Sequence, residues 1–136
     1  MTHATAERTT FLETPTADTV ELEQTFQPVF DRVAEGNAER ENGRVFPFEQ
    51  VRWLRDARLG AVRIPVALGG FGASLVQTFG LLADLAAADP NVAHVWRNHL
   101  AFVEDRLYAP VTPENEVWVK RFPRRRVRRR RLDGGQ

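Results

Sequence analysis

The feature that most strongly constrains the fold of this chain is the spacing of its apolar residues. They recur at helical intervals in several runs, and each run begins near a residue that can cap a helix. In the first run the apolar residues stand at steps of three and four: Leu22, Phe26, Val29, Phe30 and Val33. Asp18 or Thr19 can cap this run, and Asp18 and Glu21 have the spacing of a capping box. No segment before the C-terminal tail alternates apolar and polar residues as a half-buried strand does. The sequence therefore predicts an all-α helical bundle.

Four further helices are indicated by the same signals, which gives about five in total. The polar stretch 35–44 is expected to end the first helix, and Gly60 the second. The residues expected to cap or open the later helices are, in chain order, Pro47, Ser74, Asn91 and Thr112. The fourth of the five helices should span about 91–107.

One face of the second and third predicted helices is expected to be buried. The residues on these faces are Phe48, Val51, Trp53, Leu54 and Leu59 in the second helix and Leu75, Phe79, Leu82 and Ala86 in the third. About five short helices cannot enclose all of the large apolar side chains, so some of them should form an exposed patch.

An irregular connector, AVRIPVALGGFGAS at residues 61–74, separates these two helices. Pro65 blocks a helix there, and Gly69, Gly70 and Gly72 permit positive φ or close backbone contact. A glycine-rich stretch before a helix can also hold a phosphate. The spacing matches neither the Walker nor the dinucleotide-binding pattern. We therefore favour a flexible or tightly packed connector over a phosphate site.

The amino-acid composition excludes several classes of protein for this chain. The 136 residues are 43% hydrophobic and 27% charged, as in soluble globular proteins. The absence of cysteine excludes disulfides and thiolate metal sites. No apolar run approaches the roughly 20 residues of a membrane span, and the polar N-terminal stretch is unlike a signal peptide. We expect a cytoplasmic protein that does not bind membranes.

Histidine offers the best candidate for chemistry. His94 and His99 are five residues apart on the predicted fourth helix and diverge by about 140°, so no metal site is predicted. Asn98 and Phe102 adjoin His99, and the three can line the edge of a pocket. We take His99 as the candidate catalytic residue and Asn98 and Phe102 as candidate substrate-pocket residues. The alternative is a packed or surface histidine without a chemical role.

Three pieces of the sequence together resemble the N-terminal helical domain of acyl-CoA dehydrogenases. They are LRDARLGAVRIPVALGGFGAS, LLADLAAADPNVAHVW and NHLAFVEDRLY. A Leu-Gly turn, a proline-containing link, a Gly-Gly-x-Gly connector and an Asp-Pro helix break occur in the family's order. The resemblance covers about residues 26–122 and is closest to the flavin-dependent monooxygenase branch of the dibenzothiophene desulfurisation type.

The resemblance implies a homo-oligomeric flavin oxidoreductase that uses FAD or FMN and acts on a small-molecule substrate. Members of the family continue into a β-domain and a four-helix bundle, which supply most flavin contacts and the catalytic carboxylate of the dehydrogenases. The monooxygenase branch uses reduced flavin and dioxygen, and often places a histidine of the helical domain near the flavin. His99 stands at that part of the pattern. The resemblance therefore implies that this chain alone binds no flavin and is inactive.

The charge of the chain divides sharply near residue 120. Residues 1–119 contain ten Arg and no Lys against seventeen Asp and Glu, a net charge of −7. Residues 120–136 contain one Lys and eight Arg against a single Asp, a net charge of +8. In the family a glycine-rich passage into the β-domain should follow here. One permitted back-translation of residues 123–136, read one nucleotide later, encodes such a passage, so we interpret this arginine-rich tail as frameshifted.

The predicted organisation is a disordered leader at 1–17, an acyl-CoA dehydrogenase-like helical domain at 18–122 and a disordered arginine-rich tail at 123–136. Two alternatives stay open: a helical binding module whose basic C-terminal arm binds nucleic acid, and a free-standing helical interaction protein. The arginine run would bind phosphates strongly whatever its origin. A dedicated arm usually mixes Lys, Gly or aromatic residues with its Arg and sits on a nucleic-acid-binding fold, so nucleic acid is the less favoured partner.

Overall fold

The computed structural model describes residues 9–123, and helices are the only regular secondary structure in this part of the chain. Its six α-helices are α1 (Thr19–Ala34), α2 (Asn37–Gly43), α3 (Phe48–Asp56), α4 (Leu75–Ala88), α5 (Pro90–Tyr108) and α6 (Pro113–Arg121). Two short 3-10 turns, Leu59–Ala61 and Val66–Leu68, lie between α3 and α4. The predicted all-α class is confirmed.

Three of the predicted helix starts are confirmed by capping hydrogen bonds. The Asp18 side chain accepts from the amide of Glu21, and Thr112 accepts from the amide three residues on. Ser74 and Gln77 form a complete capping box, in which each side chain accepts from the backbone N–H of the other residue. Each cap satisfies a backbone donor that the helix itself leaves unpaired.

The start of α5 differs from the prediction. Asp89, not Asn91, is the N-cap, and its Oδ1 accepts from the amides of Asn91 and Val92 at 2.9 and 3.3 Å. Pro90 occupies the first turn of the helix, where its missing N–H costs nothing. Because the residue before a proline favours extended backbone, Asp89 takes the N-cap conformation and Asn91 lies inside the helix.

The polar stretch after α1 is a helix, contrary to the prediction. Residues 37–43 form α2, none of whose side chains is buried. Gly36 and Arg44 flank it with left-handed backbone conformations, which allow the chain to turn sharply at both ends. A short polar helix carries no apolar periodicity, so the sequence pattern could not reveal it.

Several predicted buried positions are exposed. Phe48 is 74% exposed and contacts Phe46 in a tilted arrangement outside the body, while Leu75 and Phe79 are 41% and 62% exposed. On α4 the buried residues are instead Thr78, Leu81 and Leu85. This helix is apolar on nearly all sides, so its packing against α1 and α5 decides which face is buried. Gly60 does not end α3 but lies within the first 3-10 turn.

Two clusters of buried apolar side chains form the core. The larger cluster lies among α1, α3, α4 and α5 and contains the fully buried Phe26, Phe30 and Leu54. The smaller cluster joins the N-terminal segment, the connector, α5 and α6, and its members are Phe11, Ala61, Ile64, Val103, Leu107 and Val119. Helix α5 contributes to both clusters, so its side chains are fixed from two sides.

Residues 9–17 pack on the body, which corrects the expected disordered leader over this range. Phe11 is 5% exposed, and its amide donates to the carbonyl oxygen of Leu107. The amides of Thr16 and Ala17 donate to the carbonyl oxygen of Gly72. Residues 1–8, and the predictions for the arginine-rich tail beyond residue 123, lie outside the described residues. None of the helices in residues 9–123 has the length and apolar character needed to span a membrane.

Candidate functional site

His99 lies in the middle of α5, where three parts of the chain meet around its imidazole. Its ring packs edge-on against Trp96 on α5, with ring centroids 5.2 Å apart, and against Phe122 after α6, with centroids 5.8 Å apart. The backbone of Gly60, in the first 3-10 turn, borders the ring as well. The histidine is therefore held half-buried between an aromatic corner and a backbone turn.

Partial burial lowers the pKa of His99 below its ordinary value of 6.5. The cause is desolvation, because the charged imidazolium loses more hydration than the neutral ring. Within residues 9–123 no hydrogen bond to this imidazole is found. The neutral form of His99 therefore predominates at pH 7, and in that form the ring can accept a proton or a hydrogen bond from a bound molecule.

Phe102 joins His99 to a wider group of rings. The aromatic cluster consists of Trp96, His99, Phe102, Trp118 and Phe122. The Phe102 ring meets Trp118 at 5.7 Å and Phe122 at 5.8 Å, in both cases nearly perpendicular. Phe102 and Trp118 are 42% and 39% exposed, so the outer side of the cluster is open to solvent. Phe122 contacts both His99 and Phe102 and links these two predicted site residues.

Asn98 does not join this group. It is exposed on α5, and successive residues of an α-helix diverge by about 100°, so its side chain points away from that of His99. Its assignment to a substrate pocket stays a prediction. The same holds for the catalytic role of His99 and the pocket role of Phe102.

Two cavities of the described part of the chain lie elsewhere. A cavity of about 60 Å³ lies between the N-terminal segment and the connector, with Pro15, Arg63 and Gly72 in its wall. An open groove of about 390 Å³ runs along the outer face of α6, beside Val117 and Lys120. Neither is lined by the aromatic cluster. The smaller one has room for a few water molecules but not for a substrate.

The backbone amides of the glycine-rich part of the connector, residues 69–74, are all hydrogen-bonded within the fold. The N–H groups of residues 69–73 donate to carbonyl oxygens of residues 61–66, and the N–H of Ser74 donates to the Gln77 side chain. Gly70 is packed so closely that an added Cβ would collide with the carbonyl group of Ile64. Gly70 therefore serves close backbone packing, and Gly69 and Gly72 adopt positive φ, in agreement with the favoured interpretation of this stretch.

An ion pair fixes the connector to α5. The guanidinium of Arg63 binds both carboxylate oxygens of Glu104, at 2.9 and 3.0 Å, and also donates to the carbonyl oxygen of Ala73. Two parallel hydrogen bonds give this pair a defined geometry. Asp105, beside Glu104, pairs instead with Arg106. The two neighbouring carboxylates thus have separate structural partners and do not form an acid–base pair.

Metal-binding residues do not gather in this part of the protein. Between residues 9 and 123 no three His, Asp or Glu side chains lie close enough to hold a metal ion. His94, the other histidine of α5, is exposed on the helix surface.

Sequence reasoning did not identify three neighbours of His99 and Phe102. Trp118 and Phe122 are four residues apart, a spacing that places two aromatic side chains on one face of a helix. This signal could have indicated an aromatic face opposite α5. The contact of Gly60 with His99 spans 39 positions of the sequence, and no local pattern carries it.

Comparison with known proteins gives one partial relative. The chain is 40% identical over 57 residues to a probable FMNH2-dependent monooxygenase, SfnC, of Pseudomonas putida. The aligned part is 41% of this chain and 14% of that protein, so the chain matches only a small portion of its relative. No family model and no solved structure matches the chain. These findings support a distant relationship to flavin-dependent monooxygenases.

Proposed function

We propose that residues 18–122 form the N-terminal helical domain of a flavin-dependent monooxygenase related to the acyl-CoA dehydrogenases. The observation that carries the proposal is the 40% identity over 57 residues to the probable FMNH2-dependent monooxygenase. The all-helical architecture supports it, because a helical domain is what the resemblance implies for this part of the chain. The parent enzyme would use FMN or FAD in its reduced form.

The described residues fit one side of a flavin and not the whole cofactor. The neutral imidazole of His99 and the exposed edges of Phe102 and Trp118 can line a planar, partly apolar ring. The glycine-rich stretch offers a phosphate group no comparable site, because the amides of residues 69–74 are hydrogen-bonded within the fold. The cavity of about 60 Å³ cannot admit an isoalloxazine ring. We infer that this domain supplies one wall of the site.

In the complete enzyme His99 is the proposed catalytic residue. Reduced flavin, when bound, supplies the electrons for chemistry with dioxygen. The contribution of His99 is a neutral nitrogen that accepts a proton or a hydrogen bond, held in place by Trp96 and Phe122. Phe102 would supply an apolar edge of the substrate pocket, and Asn98 a polar group at its rim.

Flavin binding tests this proposal on two proteins. The first is the chain as it stands, titrated with FMN and FAD while flavin fluorescence is followed. The second joins residues 1–122 to the domains encoded downstream in the gene. The proposal predicts a Kd of about 1 μM or below for the joined protein only. Micromolar binding by the chain alone would show that the site is already complete.

The role of His99 is tested in the joined protein. His99→Ala should lower turnover with reduced flavin by at least about tenfold while the melting temperature changes little. His94→Ala is the matched control, because His94 is exposed on the same helix. Parallel losses of melting temperature and activity in His99→Ala would make His99 a packing residue.

A further inference from the structure

Gly60 lies so close to His99 that no side chain fits between them. A Cβ atom at residue 60 would lie 2.6 Å from Nε2 of His99 and 3.1 Å from Cδ2. It would also lie 3.3 Å from Cζ3 of Trp96. Carbon atoms in favourable contact are about 3.5–4.0 Å apart, so even a methyl group at residue 60 would displace the imidazole.

The backbone of Gly60 does not explain why glycine stands there. Positive φ angles among the glycines of residues 9–123 occur at Gly36, Gly69 and Gly72, and Gly60 is not one of them. Residue 60 is buried in the first 3-10 turn and has a conformation open to other residues. The missing side chain, and not conformational freedom, is therefore what this position requires.

Within residues 9–123 the imidazole is held by packing contacts. Trp96 and Phe122 contact it edge-on, and the turn at Gly60 closes a further side. The Nε2–Cδ2 edge of the ring is turned towards residue 60. In a five-membered ring Nδ1 stands opposite that edge, so Nδ1 is the nitrogen turned away from the turn.

We propose that Gly60 is the positioning residue of His99. Because residue 60 has no side chain, the imidazole packs directly against its backbone, with Nδ1 facing away from the turn. The assignment of a chemical role to that nitrogen rests on the proposed function. The packing of the ring against Gly60 does not rest on the proposed function, and it can be measured in this chain without flavin. Failure of the positioning and failure of the flavin proposal are therefore distinguishable.

The experiment compares Gly60→Ala with Gly80→Ala. Gly80 is the matched control, because a Cβ there would meet no atom within 4 Å. Gly60→Ala should lower Tm by at least about 5 °C. Gly80→Ala should leave Tm unchanged or raise it, since alanine favours a helix interior.

The signature of positioning is read by NMR at the imidazole of His99. In Gly60→Ala the ring 15N chemical shifts should change, and the pKa of His99 should rise towards 6.5 as the displaced ring gains solvent. Gly80→Ala should leave both quantities as they are in the unaltered chain. A folded Gly60→Ala protein with unchanged His99 shifts and pKa would overturn the proposal.

A double variant covers the case in which Gly60→Ala does not fold. In the His99→Ala background there is no imidazole for the added Cβ to clash with. Gly60→Ala should therefore lower Tm by less than half of the decrease that it causes in the unaltered chain. An equal loss with and without His99, or failure to fold in both backgrounds, would overturn the positioning role.

Discussion

Arg40 and Asp89, 49 positions apart in the sequence, form an ion pair that joins three helices and is buried on the Asp89 side. Nη2 of Arg40 lies 2.9 Å from Oδ2 of Asp89 and also donates to the carbonyl oxygen of Val33. Nη1 of Arg40 donates to the carbonyl oxygen of Glu35. The other carboxylate oxygen of Asp89 caps α5. The guanidinium of Arg40 on α2 thus donates hydrogen bonds to carbonyl oxygens at the end of α1 and forms an ion pair with the N-cap residue of α5.

Removal of this guanidinium should destabilise the protein strongly. Arg40→Ala leaves the Asp89 carboxylate, whose side chain is 2% exposed, without its counter-charge. Breaking a buried pair from one side costs about 3–5 kcal/mol of unfolding free energy. Urea denaturation measures the loss. Arg52→Ala is the control, because its 3.9 Å pair with Glu49 is exposed and should be worth below about 1 kcal/mol. A loss below about 1 kcal/mol for Arg40→Ala would contradict the structural role.

The burial of His99 should make stability depend on pH. Its pKa in the folded state lies below 6.5, so as pH falls through 6.5 the unfolded state binds the proton first. The contribution is fully present above the unfolded pKa and is lost as pH falls towards the folded pKa. Between pH 7.5 and 5.5 the unaltered chain should therefore lose more stability than His99→Gln, as measured by Tm at each pH. His94→Gln should keep the slope of the unaltered chain. Equal slopes with and without His99 would contradict the desolvation.

Local signals in the sequence predicted most of the fold. The caps at Asp18, Ser74 and Thr112 are set by residues within three positions, so sequence spacing alone locates them. Helix α2 was not predicted because the contacts that stabilise it are long-range: the Arg40 side chain binds groups at the end of α1 and the start of α5. The buried face of α4 escaped because apolar residues occur around most of the helix, and only tertiary packing selects one side.

The candidate site was predicted only in part for the same reason. His99 and Phe102 were located by their position on α5, and the structure links them through Phe122. Neither the approach of Gly60 to His99 nor the burial that lowers the pKa of His99 is encoded in a local spacing. Both depend on where the first 3-10 turn and the end of α6 lie in the folded chain.

The exposed aromatic side chains should promote self-association rather than stability. Phe48 and Phe79 are 74% and 62% exposed and contribute little to the core. Replacement of either by serine should change the free energy of unfolding by about 0.5 kcal/mol or less and should reduce association in sedimentation velocity. Leu54→Ala is the contrasting variant, because Leu54 is fully buried and its truncation should cost about 2–5 kcal/mol. A large destabilisation by Phe48→Ser would show that this ring belongs to the core.

A binding experiment on the arginine-rich tail distinguishes purely electrostatic binding of nucleic acid from recognition by a dedicated nucleic-acid module. Eight Arg and one Lys in residues 120–136 should bind a single-stranded oligonucleotide with an affinity that falls steeply as salt rises. If the binding is only electrostatic, Trp118→Ala should leave the affinity unchanged, although the Trp118 ring is 39% exposed. Fluorescence anisotropy measures the affinity of the unaltered chain and of Trp118→Ala. A loss of affinity of tenfold or more in Trp118→Ala would favour a dedicated nucleic-acid module that stacks bases on this ring.

The central claim, that this helical domain belongs to a larger flavin-dependent enzyme, is tested most directly by the gene sequence. The measurement is the nucleotide sequence of the gene and of its transcript, read across codon 122 and downstream. The account predicts that the frame one nucleotide later stays open and encodes a β-domain followed by a helical bundle. Stop codons in all three frames shortly after codon 136 would contradict it and would leave a free-standing helical protein.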